Sequence, residues 1–378
     1  MAVYLALTAF VILTAMLIKK TEFNTEYAGN LCVYRGMKRQ DMVNIIAMFT
    51  IFMGLFLVAA LRVNVGNDYA KHVEFMHLAY CDAYVPTEWG FNMVTRVIYS
   101  LCGSEQFILV FAFFAFFTVL FFMKAIWDQS EWFLISFVMF MFLGYYFQSL
   151  STTRYYLALG IALFSIKYVI KKDWPKFVFF ALVGCLFHKS MFMILVFYPL
   201  CRIKWKRWMY VVGAAFCVSC LFLQDLYLKI AIHFYSSYKD NADEYVSGIS
   251  YVNIARCIVV LALALWVFRD KIRESGKYSF YFHCNLMALA LYVFGSFLPI
   301  VSRIGYYLNI TQILFVPAII KNIKDEKKRK LLTVATVVGC ILYFMIYMRG
   351  AANDGIRILP YRTILFHDMP PILSEKGY

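Results

Sequence analysis

LGYYFQSLSTTRYYLALGIALFSIKYVIKK, residues 143–172, holds two apolar runs that meet at a short polar hinge, residues 148–153. Arg154 stands where the second run begins. An arginine at the mouth of a membrane helix is costly unless an anion offsets its charge. The hinge, the lone arginine and the flanking apolar runs pose two questions: how often the chain crosses a bilayer, and what anion Arg154 meets.

The composition answers the first in outline. The 378 residues are 63% hydrophobic, 19% aromatic and 16% charged, against about 25% charged in an ordinary soluble domain. Apolar runs recur from end to end, at 2–18, 43–61, 107–123, 132–148, 155–170, 177–187, 189–200, 208–223, 252–268, 280–299, 304–320 and 331–348. A soluble core needs no such series of uncharged runs. The expected fold is therefore an all-α polytopic membrane protein, one integral membrane domain over 1–378 with about eleven to twelve transmembrane or re-entrant helices. The first run has no charged leader and no small-residue cleavage site, so it reads as a retained helix. The ten cysteines show no metal spacing and mostly lie inside apolar runs, as small buried residues do.

The net charge of +15 could suggest nucleic acid, but its distribution argues against that. Each joint after an odd-numbered run is basic, from Lys19 and Lys20 to the cluster Lys327, Lys328, Arg329 and Lys330. By the positive-inside rule these joints face the cytoplasm and the N-terminus lies outside. The outer face then holds the segments 62–106 and 224–251, both expected to carry interfacial helices, and the tail 349–378. Residues 177–200 form one apolar stretch interrupted by His188, Lys189 and Ser190. One long helix there would invert the topology downstream, and the charge distribution favours two short halves with His188 at the apex.

Unusual charges collect at the outward ends of the runs: Arg62, Asp68, Arg154, His188, Arg256, Arg303, Arg357 and Arg362. Arginine presents a planar fork of donors that suits phosphate, although some arginines merely snorkel to the interface. Asp68 follows a Gly-Asn turn and suits either a general base or a helix cap. His188 begins a half-helix, where backbone N–H groups and the dipole attract phosphate, or it is a hydrogen-bonded core histidine. The remaining histidines make no metal-ligand spacing, and no glycine-rich phosphate loop, GxSxG or HExxH occurs, so neither metal nor cofactor is expected.

The motifs in order are VGNDY at 65–69, TTRYYLALGIA at 152–162, FHKS at 187–190, SRIGYYLN at 302–309 and LPYRTILF at 359–366. This series resembles the EpsG-like family of exopolysaccharide polymerases, related to the Wzy-type O-antigen and capsule polymerases. One departure is His72, where a second tyrosine is expected. The resemblance implies a metal-independent glycosyltransferase of GT-C-like architecture in the bacterial cytoplasmic (inner) membrane. Its substrates would be undecaprenyl-diphosphate-linked oligosaccharide repeat units, joined on the outer side. Membrane lipid, a flippase and a chain-length regulator would be its partners.

On that resemblance Arg154 and Arg303 are expected to bind the diphosphate, assisted by His188. Asp68 would orient or deprotonate the acceptor hydroxyl, with His188 as the other candidate base, and Arg62, Arg256 and Tyr69 would complete the substrate contacts. Two rivals predict different features. A flippase or transporter of the same lipid-linked sugar calls for inverted repeats and midplane charge pairs. A membrane acyltransferase calls for a paired catalytic histidine. Neither feature is evident in the sequence.

Overall fold

A computed structural model of the protein describes residues 1–20, 25–28, 31–34, 38–234, 250–298 and 301–367. Parts of the expected outward segments, 235–249, 299–300 and 368–378, lie outside the described residues. Helix α1 (Ala2–Ala15) precedes a short antiparallel hairpin, β1 (Thr25–Ala28) and β2 (Leu31–Tyr34), in which Thr25 pairs with Tyr34. Then come α2 (Arg39–Ala60), α3 (Tyr69–Tyr80), α4 (Trp89–Cys102), α5 (Phe107–Gln129), α6 (Phe133–Phe142), α7 (Tyr145–Ser149) and α8 (Thr153–Ile170). After α9 (Trp174–Cys185) the chain makes a 3-10 helix, Lys189–Val196, followed by α10 (Phe197–Arg202), α11 (Arg207–Phe222) and α12 (Gln224–Phe234). The series closes with α13 (Tyr251–Glu274), α14 (Gly276–Phe294), α15 (Val301–Asn309), α16 (Gln312–Lys321) and α17 (Glu326–Arg349). Each apolar run contributes helix among the described residues, and the chain is an all-α polytopic membrane protein to which the hairpin is a small addition.

Among the described residues, four helical stretches are by themselves long and apolar enough to cross a membrane: Arg39–Ala60, Phe107–Gln129, Val301–Lys321 and Glu326–Arg349. A fifth is formed if the pair Arg207–Phe222 and Gln224–Ile230, bent by 96°, counts as one. Others are short, as at Ala2–Ala15, Phe133–Phe142 and Trp174–Cys185, or carry charge, as α8 does with Arg154 and Lys167. The run 132–148 is broken at Gly144, whose φ of +78° ends α6 and starts α7. A left-handed residue of this kind stops a helix, and glycine adopts it without steric cost. The stretch 177–200 is two pieces, as the charge distribution favoured: α9 ends at Cys185 and the 3-10 helix starts at Lys189.

The described chain divides into two compact units. The first comprises Met1–Phe164, Gly184–Lys189 and Lys324–Tyr378. Its feature of most consequence is the C-terminal segment, which lies along the chain leaving α2. Arg62 and Thr363 form an antiparallel bridge. Val63 N–H donates to the Arg362 carbonyl (3.0 Å), Ile364 N–H to Leu61 (3.0 Å), Gly66 N–H to Arg357 (2.8 Å) and Asn67 N–H to Ile356 (3.1 Å). Tyr4 O–H and Tyr361 O–H tie the segment further, to the carbonyls of Ile358 (2.9 Å) and Val58 (3.0 Å). Irregular backbone beside a membrane needs such partners, because unpaired N–H and C=O groups there cost several kcal/mol each. Gly66 is the tightest point: its φ is +107°, and an added Cβ would stand 2.2 Å from the Leu150 carbonyl oxygen.

The second unit comprises Ser165–Val183 and Ser190–Ile323. Helices α13 and α14 pack along one another, and α15 rests on α14 so closely that a Cβ on Gly305 would meet the Tyr292 ring at 2.4 Å. Buried polar side chains join α13, α14 and the α15–α16 turn. Gln312 Nε2 donates to Asn285 Oδ1 (2.7 Å), Asn309 Nδ2 to Tyr292 Oη (3.1 Å), and Cys257 Sγ to Asn309 Oδ1 (3.1 Å). Each group finds its partner inside the unit, as a low-dielectric interior requires.

Replacing Gly66 with alanine combines a disfavoured φ with a backbone clash. We expect Gly66→Ala to destabilise the protein by more than about 1 kcal/mol, read as a lower unfolding temperature of the detergent-solubilised chain. Gly213→Ala, in a helix with open space around it, should leave that temperature unchanged or slightly raised.

Candidate functional site

Four of the five sequence motifs meet in the first unit. The turn 65–69 lies against Leu150 and Ser151, with Asn67 N–H donating to Ser151 Oγ at 3.1 Å. The same turn is held from the other side by the segment around Arg357. The start of α8 and the turn at 187–189 complete the group.

Arg154 stands in the first turn of α8 with its guanidinium mostly buried. One arm forms an ion pair with Glu88, its Nε donates to His72 Nε2 at 3.2 Å, and its carbon lies 5.4 Å from the centre of the Phe91 ring. The side chains are mostly buried, 19% exposed for Arg154 and 13% for Glu88. The other oxygen of Glu88 accepts from Lys189 N–H at 3.2 Å. That contact exists because α4 begins almost on top of the chain after α9: Gly90 N–H donates to the Leu186 carbonyl at 2.8 Å, and a Cβ at Gly90 would stand 2.6 Å from that oxygen. A glycine is required there to let two backbones approach.

His72 is 3% exposed. Because Arg154 donates to its Nε2, its proton sits on Nδ1, and that atom has no hydrogen-bond partner among the described residues. Burial pushes the imidazole well below its ordinary pKa, and the positive charges of Arg154, Arg62 and Lys71 add to the effect. His72 is thus a neutral acceptor beside a cation. The position where a tyrosine was expected receives the arginine's Nε–H.

Arg62, at the end of α2, is 1% exposed. It donates to the Ala59 carbonyl and to Thr153 Oγ1 (2.9 Å), and its guanidinium carbon lies 4.7 Å from the centre of the Phe111 ring. No described carboxylate forms an ion pair with it, and its Nε has no hydrogen-bond partner among the described residues. Tyr69 is buried too, stacked on Phe111 with ring centres 4.5 Å apart. Burial pushes its hydroxyl up to about 12, against the pull of Arg62. Both residues form part of the packed interior beside α5.

Asp68 occupies the N-cap position of α3, half-buried, and makes no capping side-chain bond. Its carbonyl accepts from His72 N–H at 2.9 Å, which places it one helical turn before the Arg154 partner. His188 lies between α9 and the 3-10 helix, buried, with its ring edge-on to Tyr155 at 5.2 Å. The half-helix that follows is a 3-10 helix, and its Lys189 N–H donates to the Glu88 carboxylate.

Arg256 and Arg303 belong to the second unit. Arg256 Nε and Nη2 both donate to Gln312 Oε1, at 3.1 and 3.0 Å. Arg303 lies half-buried in the first turn of α15. Thus Glu88 links Arg154 to the backbone of Lys189, the residue after His188, and Asp68 lies one helical turn before His72. Sequence reasoning passed over Glu88, and it marked His72 only as a departure from the expected tyrosine. The signal for Glu88 was modest: a single acid in the connection PTEWG, ahead of an amphipathic helix and in a segment assigned to the same face as Arg154.

The EpsG family model matches residues 45–363. The chain belongs to the EpsG family. This family is exopolysaccharide-polymerase-like, and the match spans every residue of the site. No curated protein and no solved structure matches the chain.

The His72 geometry carries a pH signature. Unfolding frees the imidazole to bind a proton below its ordinary value of 6.5, which the folded protein resists. Stability from this source is complete above that pH and falls as the pH drops below it. Between pH 7.5 and 5.5 the wild type should lose more unfolding temperature than His72→Gln, in which nothing titrates at that position.

Proposed function

We propose that this EpsG-family chain is a polysaccharide polymerase of GT-C-like architecture in the bacterial cytoplasmic membrane, with its N-terminus outside. It joins undecaprenyl-diphosphate-linked oligosaccharide repeats on the outer side. The growing glycan passes from its carrier to a hydroxyl of an incoming lipid-linked repeat. The bond from the anomeric carbon to the carrier diphosphate breaks, a new glycosidic bond forms, and the hydroxyl proton passes to a base. A flippase that delivers the repeats and a chain-length regulator would work with it.

The observation that carries the reading is Arg154, a guanidinium held in a mostly buried setting at the junction of the family's motifs. In this reading it neutralises the charge that develops on the leaving diphosphate. Preorganised charge in a water-poor site contributes several kcal/mol to such a step. Asp68, one turn before His72, is the candidate base, and His188 is the alternative. Arg256 and Arg303 are not needed for this assignment. The topology fits the basic joints, and the donor set fits a reaction in which arginine supplies the positive charge.

The test is a polysaccharide ladder from the source bacterium with and without the chain. Loss of the chain should collapse the ladder to single repeats. Arg154→Ala and Arg154→Lys should both fail to restore it at normal protein abundance, since an ammonium cannot satisfy Glu88 and His72 with the same planar fork. A full-length ladder with altered repeat mobility would overturn the reading in favour of a modifying enzyme. Repeats trapped on the inner leaflet would favour a flippase.

A further inference from the structure

We propose that Glu88 is an exchangeable counter-ion for Arg154. It holds the guanidinium between turnovers, yields it to an incoming lipid diphosphate, and takes it back as the spent carrier leaves. This rests on the reading that Arg154 binds a diphosphate.

The geometry supports exchange over a fixed structural bridge. Glu88 has two partners among the described residues, one on each oxygen: Arg154 and the Lys189 N–H. Losing the arginine leaves the carboxylate anchored by the amide. It also stays at the N-cap of α4, a 14-residue helix whose positive end favours an anion. Arg154 in turn keeps its hydrogen bond to His72 and its contact with the Phe91 face when Glu88 withdraws. The carboxylate and a phosphate present the same kind of planar acceptor pair to the guanidinium fork. Both cannot remain on it in a low-dielectric site without strong mutual repulsion. Substrate binding must therefore break the Glu88 pair, and its re-formation favours release of product. No proton or covalent step is involved, and Glu88 acts as a positioning residue through Arg154.

The test uses the full chain in detergent, with farnesyl diphosphate as the probe and farnesol as the uncharged comparison. Glu88→Gln keeps the side-chain volume and an acceptor for Lys189 N–H but removes the competing charge. Exchange predicts that Glu88→Gln binds farnesyl diphosphate about tenfold or more tightly than wild type, a gain of about 1.4 kcal/mol. Arg154→Ala should lose that binding. In cells Glu88→Gln should give shortened ladders, because the carrier leaves slowly. A purely structural bridge predicts the opposite sign, equal or weaker binding. That result, in a variant with the wild-type unfolding temperature, overturns the proposal. Glu88→Ala removes the same charge and provides the same comparison if the glutamine variant does not fold. Absence of diphosphate binding by wild type and Glu88→Gln alike also overturns it. A ladder that still needs the chain and Arg154 would then leave the polymerase reading standing, whereas a ladder that persists without the chain removes that reading on its own.

Discussion

A guanidinium withdrawn from water must be given an opposite charge or be surrounded by acceptors and aromatic faces, and the first unit is organised around two instances of that constraint. Arg154 meets the first requirement with Glu88, and the pair fixes three chain segments at once: the start of α4, the start of α8 and the turn before the 3-10 helix. Arg62 meets the second with a carbonyl, the Thr153 hydroxyl and the Phe111 ring. The two solutions differ in consequence. A carboxylate can be exchanged for another anion, whereas a carbonyl and a ring within the core cannot leave. Arg154 is thus held by an ion pair, whereas Arg62 is bound into the packing beside α5.

The backbone shows the same economy. The chain leaving α2 is irregular through residue 68, and its N–H groups are taken up by the segment 356–364 in place of water. Gly66 makes that close pairing possible, and Asn64, at φ +53°, receives the Arg357 guanidinium at 2.6 Å. A motif early in the chain and one near its end are thus one structural object. In the second unit the Gln312, Asn285 and Asn309 amides play the corresponding part, hydrogen-bonding one another and accepting from Arg256.

Much of this was legible in the sequence. The apolar runs located every membrane-length helix, because a bilayer imposes length and hydropathy on each crossing segment directly. The interruption at 186–188 was legible from polar residues inside an apolar stretch. Breaks at Gly144 and between α15 and α16 were not, since the runs there carry no charge and only local backbone geometry distinguishes a kink from a continuous helix. Arg154 announced itself by its position in an apolar context. Glu88 did not, because a glutamate in a polar connection is ordinary until the fold sets it against a buried arginine. The tyrosine expected at His72 illustrates the same limit: its value as a neutral acceptor arises from burial, which no local pattern reports.

The sequence by itself determined that the chain is an α-helical membrane protein of the EpsG family, and it singled out Arg154 as a cation in need of an anion. Hydropathy and charge are properties of each residue, and a membrane reads them one segment at a time. Only the tertiary structure brought Glu88, His72 and, through Glu88, the Lys189 amide to that cation. Those contacts join residues far apart in the chain. They depend on where a glycine lets two backbones touch and where burial strips a side chain of water, and both are properties of the packed molecule.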